Sequence, residues 1–204
     1  MRIYDTMSNQ IRDLEPKDPG KVSIYACGPT VQDVPHLGHA RTALTYDVLK
    51  RYLVWAGFEV FLVSNITDID DKIINRALDE GISEEQLAQR YANIHIEQLQ
   101  NFGIKDPDER PRATQFIQQM ISIITELMEN GSAYEIPGSG IYFDTSKFTG
   151  YGALVNRSVE ELRDSAKARV AADEDKDDPL DFALWKTAKP GEPTWDSPWG
   201  PGRP

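Results

Sequence analysis

Two histidines three positions apart, His36 and His39, with Gly38 between them, are the residues best suited to chemistry. A neutral imidazole carries one N–H donor and one acceptor nitrogen, so a pair of them can meet successive oxygens of a polyanion. Their setting supports that use. A β-like run, Val22 to Cys27, meets Gly28-Pro29, and an irregular stretch then leads to Pro35. Beyond His39, Leu44, Val48, Leu49, Tyr52 and Leu53 recur at helical spacing, which predicts a helix from about Leu37 to Trp55. The histidines therefore fall at a helix start that follows a strand. First-turn N–H groups lack partners there and the dipole end is positive, which makes an anion site. Gly38 has no side chain to hold a nucleotide away from the backbone. The plainer reading, two imidazoles satisfying one another beside a loop, is the usual one for an isolated pair.

Cys27, at the end of the first strand, is the sole cysteine. It reads either as a small buried apolar residue or as a soft ligand for a metal. Asp68, Asp70 and Asp71 precede a helical pattern from Lys72 to Glu80 and read as capping residues. A calcium loop would also need a central glycine and a terminal glutamate, which are missing. Neither a GxGxxG nor a GxxxxGK[ST] pattern occurs; Gly138-Ser139-Gly140 lacks the third glycine. His95 sits beside Ile94 and Ile96 in a helical stretch and reads as structural or surface, remote from the other motifs.

The elements that must hold these residues can be followed along the chain. Arg2 to Tyr4 predicts an edge strand, and Pro16 to Gly20 a turn. Strand, helix and a second strand at Glu59 to Val63 form one βαβ unit, whose ligand side is the carboxyl end of the strands. Ser83 with Gln86 makes a capping box for a helix to about Asn101, closed by Gly103. A further helix carries Phe116, Ile117, Met120, Ile121, Ile124, Leu127 and Met128 and stops at Asn130-Gly131. Tyr134 to Ile136 and Ile141 to Phe143 predict a hairpin, and Ser158 with Glu161 caps a short helix. Ala171 to Asp178 reads as an acidic, solvated loop. Pro179 to Pro204 is proline-rich but also holds Trp185, Trp195 and Trp199, so it is expected to be ordered, irregular chain rather than a linker.

Composition narrows the field. At 204 residues, 40% hydrophobic and 27% charged, the chain is that of a soluble globular protein. No run approaches the ~20 apolar residues of a membrane span, and the N-terminus is too polar for a secretory signal. A lone cysteine excludes an internal disulfide framework and suits a reducing cytoplasm. The net charge of −11 gives no support to broad nucleic-acid binding.

Several motifs taken together resemble the cysteinyl-tRNA synthetase family of class I aminoacyl-tRNA synthetases. They are Cys27-Gly28-Pro29-Thr30, His36-Leu37-Gly38-His39, the run Ser64 to Ile73, Pro111-Arg112-Ala113-Thr114, Phe182 to Lys186 and Ser197 to Pro204. The match spans the whole chain but about the first half of a family member, so the chain reads as truncated. Lys186-Thr187-Ala188-Lys189 lies too early to be the family's lysine-rich second signature.

The resemblance implies an α/β fold: a Rossmann-like parallel-sheet nucleotide-binding half with an inserted mixed α/β connective subdomain. Residues 1–110 would form the first half of the catalytic domain, 111–190 the insertion and 191–204 the start of the second half. The implied activity is ATP-dependent activation of L-cysteine to cysteinyl-adenylate and transfer to tRNA(Cys), with Mg2+ accompanying ATP. His36 and His39 would be catalytic, binding ATP with Gly38. Cys27, Gly28, Thr30, Thr42, Asn65 and Thr67 would line the substrate pocket. Cys27 would also be one zinc ligand, the others being expected beyond residue 204, as would the lysine-rich loop and the anticodon-binding part. Two alternatives remain at this stage: a cysteine:amino-sugar (mycothiol-type) ligase sharing both motifs, and a non-catalytic interaction fragment.

Overall fold

The computed structural model describes residues 1–167 and 176–204. In chain order the elements are β1 (Arg2–Asp5), β2 (Gln10–Asp13), β3 (Lys21–Ala26), α1 (Leu37–Trp55), β4 (Glu59–Ser64), α2 (Asp71–Glu80) and α3 (Glu84–Asn101). They continue with α4 (Ile117–Glu129), β5 (Ala133–Ile136), β6 (Gly140–Phe143), α5 (Val159–Lys167), β7 (Phe182–Thr187) and β8 (Gly202–Arg203). Two compact units result, Glu15–Phe116 and Met1–Leu14 with Ile117–Pro204.

In the unit Glu15–Phe116, β3 and β4 pair in parallel from Lys21 opposite Glu59 to Ala26 opposite Ser64, with α1 as the crossover. Single parallel bridges from Val63 to Glu109 and from Ile66 to Arg112 lay a third extended segment along β4. Helix α2 starts where the Asp70 side chain accepts the Lys72 N–H and ends at Gly81 in the left-handed conformation. Helix α3 has the expected Ser83–Gln86 capping box. Leu87, Ala88, Tyr91 and Ala92 of α3 pack with Ile73 and Ala77 of α2, and with Val31 and Ile66 from the loops after the strands. Ile73 and Leu87 have no exposed surface, and each such side chain contributes about 1.5–3 kcal/mol of burial. This core seats the two ligand-side loops on the helices.

The other unit contains the antiparallel β1–β2 hairpin and a four-stranded antiparallel sheet in the order β5-β6-β7-β8. Ile117, Ile121 and Ile124 of α4 share a core with Ala133, Ile141 and Trp185. The stretch expected to be irregular is here a strand. Phe182–Thr187 pairs on both sides, and Trp185 is 1% exposed. The prolines that argued against regular structure flank β7 at Pro179 and Pro190 and leave its ladder N–H groups free to pair. Of the acidic stretch, residues 171–175 lie outside the described residues. Asp178 pairs with Arg163 at 2.6 Å and accepts the Leu180 N–H, so it does more than face solvent. Asp181 is buried with its carboxylate accepting from the Tyr134 hydroxyl, the Thr145 N–H and hydroxyl, and the Asp178 N–H.

Candidate active site

The carboxyl ends of β3 and β4 run into two loops that are bonded to each other. Val31 N–H donates to Thr67 O at 3.2 Å and Thr67 N–H to Pro29 O at 3.0 Å. Asn65 is the knot between them. Its Oδ1 accepts from the Gly28 N–H at 2.8 Å and the Tyr25 hydroxyl at 3.0 Å, and its Nδ2 donates to Thr67 Oγ1 at 3.3 Å. Gly28 has to be glycine, because a Cβ there would sit 1.5 Å from the Asn65 carbonyl oxygen. Asp68 is buried and accepts the Thr114 N–H and hydroxyl, whereas Asp70 caps α2 and Asp71 opens its first turn. The aspartates are thus occupied structurally, as expected for at least some of them.

His36 is the N-cap of α1. Its Nδ1 accepts the Gly38 N–H at 3.0 Å, while His39 Nδ1 accepts the His36 N–H at 3.2 Å. This is a capping box made of two imidazoles. A neutral ring that accepts at Nδ1 carries its proton on Nε2, so both caps fix the tautomer with a donor at the far nitrogen. Gly38 is needed inside this arrangement, since a Cβ would lie 2.7 Å from His36 Cε1. No acidic residue occupies the first turn of α1 to oppose an anion. Thr42 lies one turn in, its hydroxyl donating to Gly38 O at 3.1 Å. Burial, followed by the neighbouring His36, holds the His39 imidazole below its ordinary pKa and favours the neutral ring.

These groups open onto a cavity of about 560 Å³. Cys27, Gly28, Thr30, His36, His39, Thr42 and Asn65 line it, whereas Gly38 and Thr67 are not on its wall. The sequence pattern places His95 remote from these motifs, but the packing of α3 against α1 brings it to the site. His95 is 6% exposed, lines the same cavity, and stands with its ring centroid 6.0 Å from that of His39 at 78°. Burial, then His39, then Arg110 push its pKa down to about 4. Also unforeseen on the wall are Asp47, Gln32 and Arg110. Asp47 is buried and held by Arg51 through both carboxylate oxygens, at 3.0 and 2.5 Å. Arg51 also donates to Gly103 O, tying α1 to the end of α3. Only tertiary packing brings the middle of α1, α3 and the segment after α3 together, so no local pattern marks these residues.

The implied zinc can be tested against the side chains. Cys27 is exposed, and its thiol donates to Gly28 O at 3.8 Å. Among the described residues no group of three or more His, Cys, Asp or Glu side chains is placed to hold a metal ion. Zinc needs at least three protein ligands, so the described residues do not by themselves compose a zinc site.

Comparison with known proteins follows the same residues. Residues 13–204 match the family described as tRNA synthetases class I (C) catalytic domain. The chain belongs to that family. Curated relatives of this class I (C) segment include the cysteine–tRNA ligases of Carboxydothermus hydrogenoformans, 48% identical, and of Solidesulfovibrio magneticus, 47% identical. Each is matched over 204 residues, all of this chain but 43% and 42% of those proteins. The cysteine–tRNA ligase of Pyrococcus abyssi is 48% identical, with 42% of its length covered. The chain therefore spans less than half the length of these relatives. A crystal structure of the ternary complex of Agrobacterium radiobacter K84 LeuRS, tRNA and LeuAMS superposes with a TM-score of 0.52 at 18% identity. It covers 66% of this chain and 18% of that one and shows the fold, a class I, Rossmann-like α/β arrangement.

Proposed function

We propose that this chain is the N-terminal catalytic part of a cysteine–tRNA ligase, which activates L-cysteine with ATP and transfers it to tRNA(Cys). The two-histidine capping box at the α1 N-terminus, open to the cavity, carries this reading. In the activation step a carboxylate oxygen attacks the α-phosphorus of ATP. The new bond makes the acyl-adenylate, and the bond to pyrophosphate breaks. The nucleophile arrives already ionised, so no general base is required. Charge instead builds on the phosphate oxygens, and fixed donors facing them lower the barrier. The Nε2–H groups of His36 and His39 and the positive end of α1 are such donors. Cys27, Gly28, Thr30, Thr42, Asn65 and Thr67 are the proposed amino-acid and adenylate contacts. Mg2+ would accompany the triphosphate.

The division into a first catalytic half (1–110), a connective insertion (111–190) and the start of a second half (191–204) belongs to the same proposal. So does a cytoplasmic setting, which an exposed lone cysteine suits. Among the described residues no helix is long and apolar enough to cross a membrane.

The test is cysteine-dependent exchange of pyrophosphate into ATP, measured with the longer polypeptide that carries these residues. His39→Ala should slow exchange by about 10²–10³-fold, the usual loss for one transition-state donor, with little change in cysteine affinity. Weakened cysteine binding with an unchanged rate would reverse the assignment. The 204-residue chain alone is expected to give no exchange; robust exchange by it would show that the site had been misplaced.

A further inference from the structure

His95 is the one histidine that the proposed reaction does not use. It is 6% exposed and lines the cavity, and its ring nitrogens are not among the fully buried polar atoms that lack a partner, so they keep access to the cavity. What it meets is the His39 ring, nearly perpendicular to its own, with the centroids 6.0 Å apart. The His36 and His39 centroids are 4.1 Å apart with the planes tilted by 30°. His39 therefore has two imidazole neighbours, one from its own helix turn and one from α3.

We infer that His95 is a positioning residue, a neutral aromatic wall that holds the His39 ring with Nδ1 on the His36 N–H and Nε2 toward the cavity. Perpendicular rings at this separation attract through their quadrupoles and resist rotation of either plane. Without the wall, a half-turn of His39 about its Cβ–Cγ bond would break the cap and send Nε2 elsewhere. A donor fixed before its ligand arrives needs no reorganisation when charge develops. Of the charged and titratable groups, His39 on α1 and Arg110 on the segment after α3 both act on His95 against its cation, while Lys105 and Asp106 line the same cavity. Tyr46 and the Arg51-paired Asp47 of α1 also line that cavity. Arg110 is itself largely buried and bonded to Asp106 at 2.5 Å, so a second cation at His95 would be unfavourable.

The inference rests on the proposed role of His39 only for its consequence; the ring contact is tested without any ligand. The chain has three histidines, so 15N-labelled histidine gives one resolvable set of ring signals for each. In the unaltered 204-residue chain, His39 should show the Nε2–H tautomer, with cross-relaxation between the His39 and His95 ring protons. His95→Phe should preserve the tautomer, because it keeps the wall. His95→Gln and His95→Leu should make the two His39 nitrogen shifts converge as the tautomers exchange, while the His36 backbone signals stay in place. Unchanged His39 signals in the Gln and Leu variants, loss of the tautomer in the Phe variant, or no His39–His95 cross-relaxation in the unaltered chain would each overturn the assignment. Slow ATP exchange with the His39 tautomer intact would count against the proposed function and not against this contact.

Discussion

Protonating His95 would place a charge in a buried site that already faces His39 and Arg110, and the cost appears in stability. Its folded pKa of about 4 lies below the ordinary 6.5. Between those values the unfolded chain binds the proton more readily, so stability is fully present above pH 6.5 and falls as pH drops toward 4. The shift sets an upper bound of about 3 kcal/mol. Urea unfolding at pH 7 and pH 4.5 should show the unaltered chain losing more stability than His95→Phe, which cannot titrate. Equal losses would mean that His95 titrates alike in the folded and unfolded chain. At this scale, residues in a short motif were legible: His36, His39, Cys27, Thr30 and Asn65 all reach the cavity wall. His95, Asp47 and Arg110 were not, because each is an ordinary helix or loop residue until α1, α3 and the following segment meet.

Element ends were the most legible part of the fold, since caps are local. Helix α1 spans the expected Leu37–Trp55, and the Ser83–Gln86 box opens α3. Strand β7 was missed because its pairing depends on β6, far away in sequence, while nearby prolines argued for loop. The loop pair at the ends of β3 and β4 yields a sharper test. At Gly28 even one methyl group would meet the Asn65 backbone, which Asn65's bonds to Tyr25, Gly28 and Thr67 hold in place. Gly28→Ala should therefore cost at least about 2 kcal/mol, the range of overpacking that the backbone has to absorb. Denaturant titration measures this, and a loss below half that value would mean that the loops part easily. Asp108 offers a milder case. It accepts the Leu62 N–H at 2.6 Å and pairs with Lys50, which holds its carboxyl below the usual range. It thus favours the folded state above the ordinary carboxylate pKa, an advantage lost as pH falls through the lowered value.

Over the whole chain, acidity and the single cysteine set broad limits, but the metal question depends on spatial grouping that composition does not show. With Cys27 exposed and no ligand cluster among the described residues, the purified 204-residue chain should carry well under one zinc, and zinc should not slow alkylation of Cys27. Atomic spectroscopy beside the alkylation rate decides this. One zinc per chain, lost in Cys27→Ser, would reveal a ligand set that the structure does not bring together.

The two compact units also differ in their natural reporters. His36, His39 and His95 all lie within Glu15–Phe116, whereas Trp185, Trp195 and Trp199 lie within Ile117–Pro204. The remaining tryptophan, Trp55, is 80% exposed and should emit as a solvated indole. Imidazole proton resonances therefore follow one unit while blue-shifted indole emission follows the other. A single unlabelled sample, heated once and watched by both methods, tells whether the units melt at one temperature or at two.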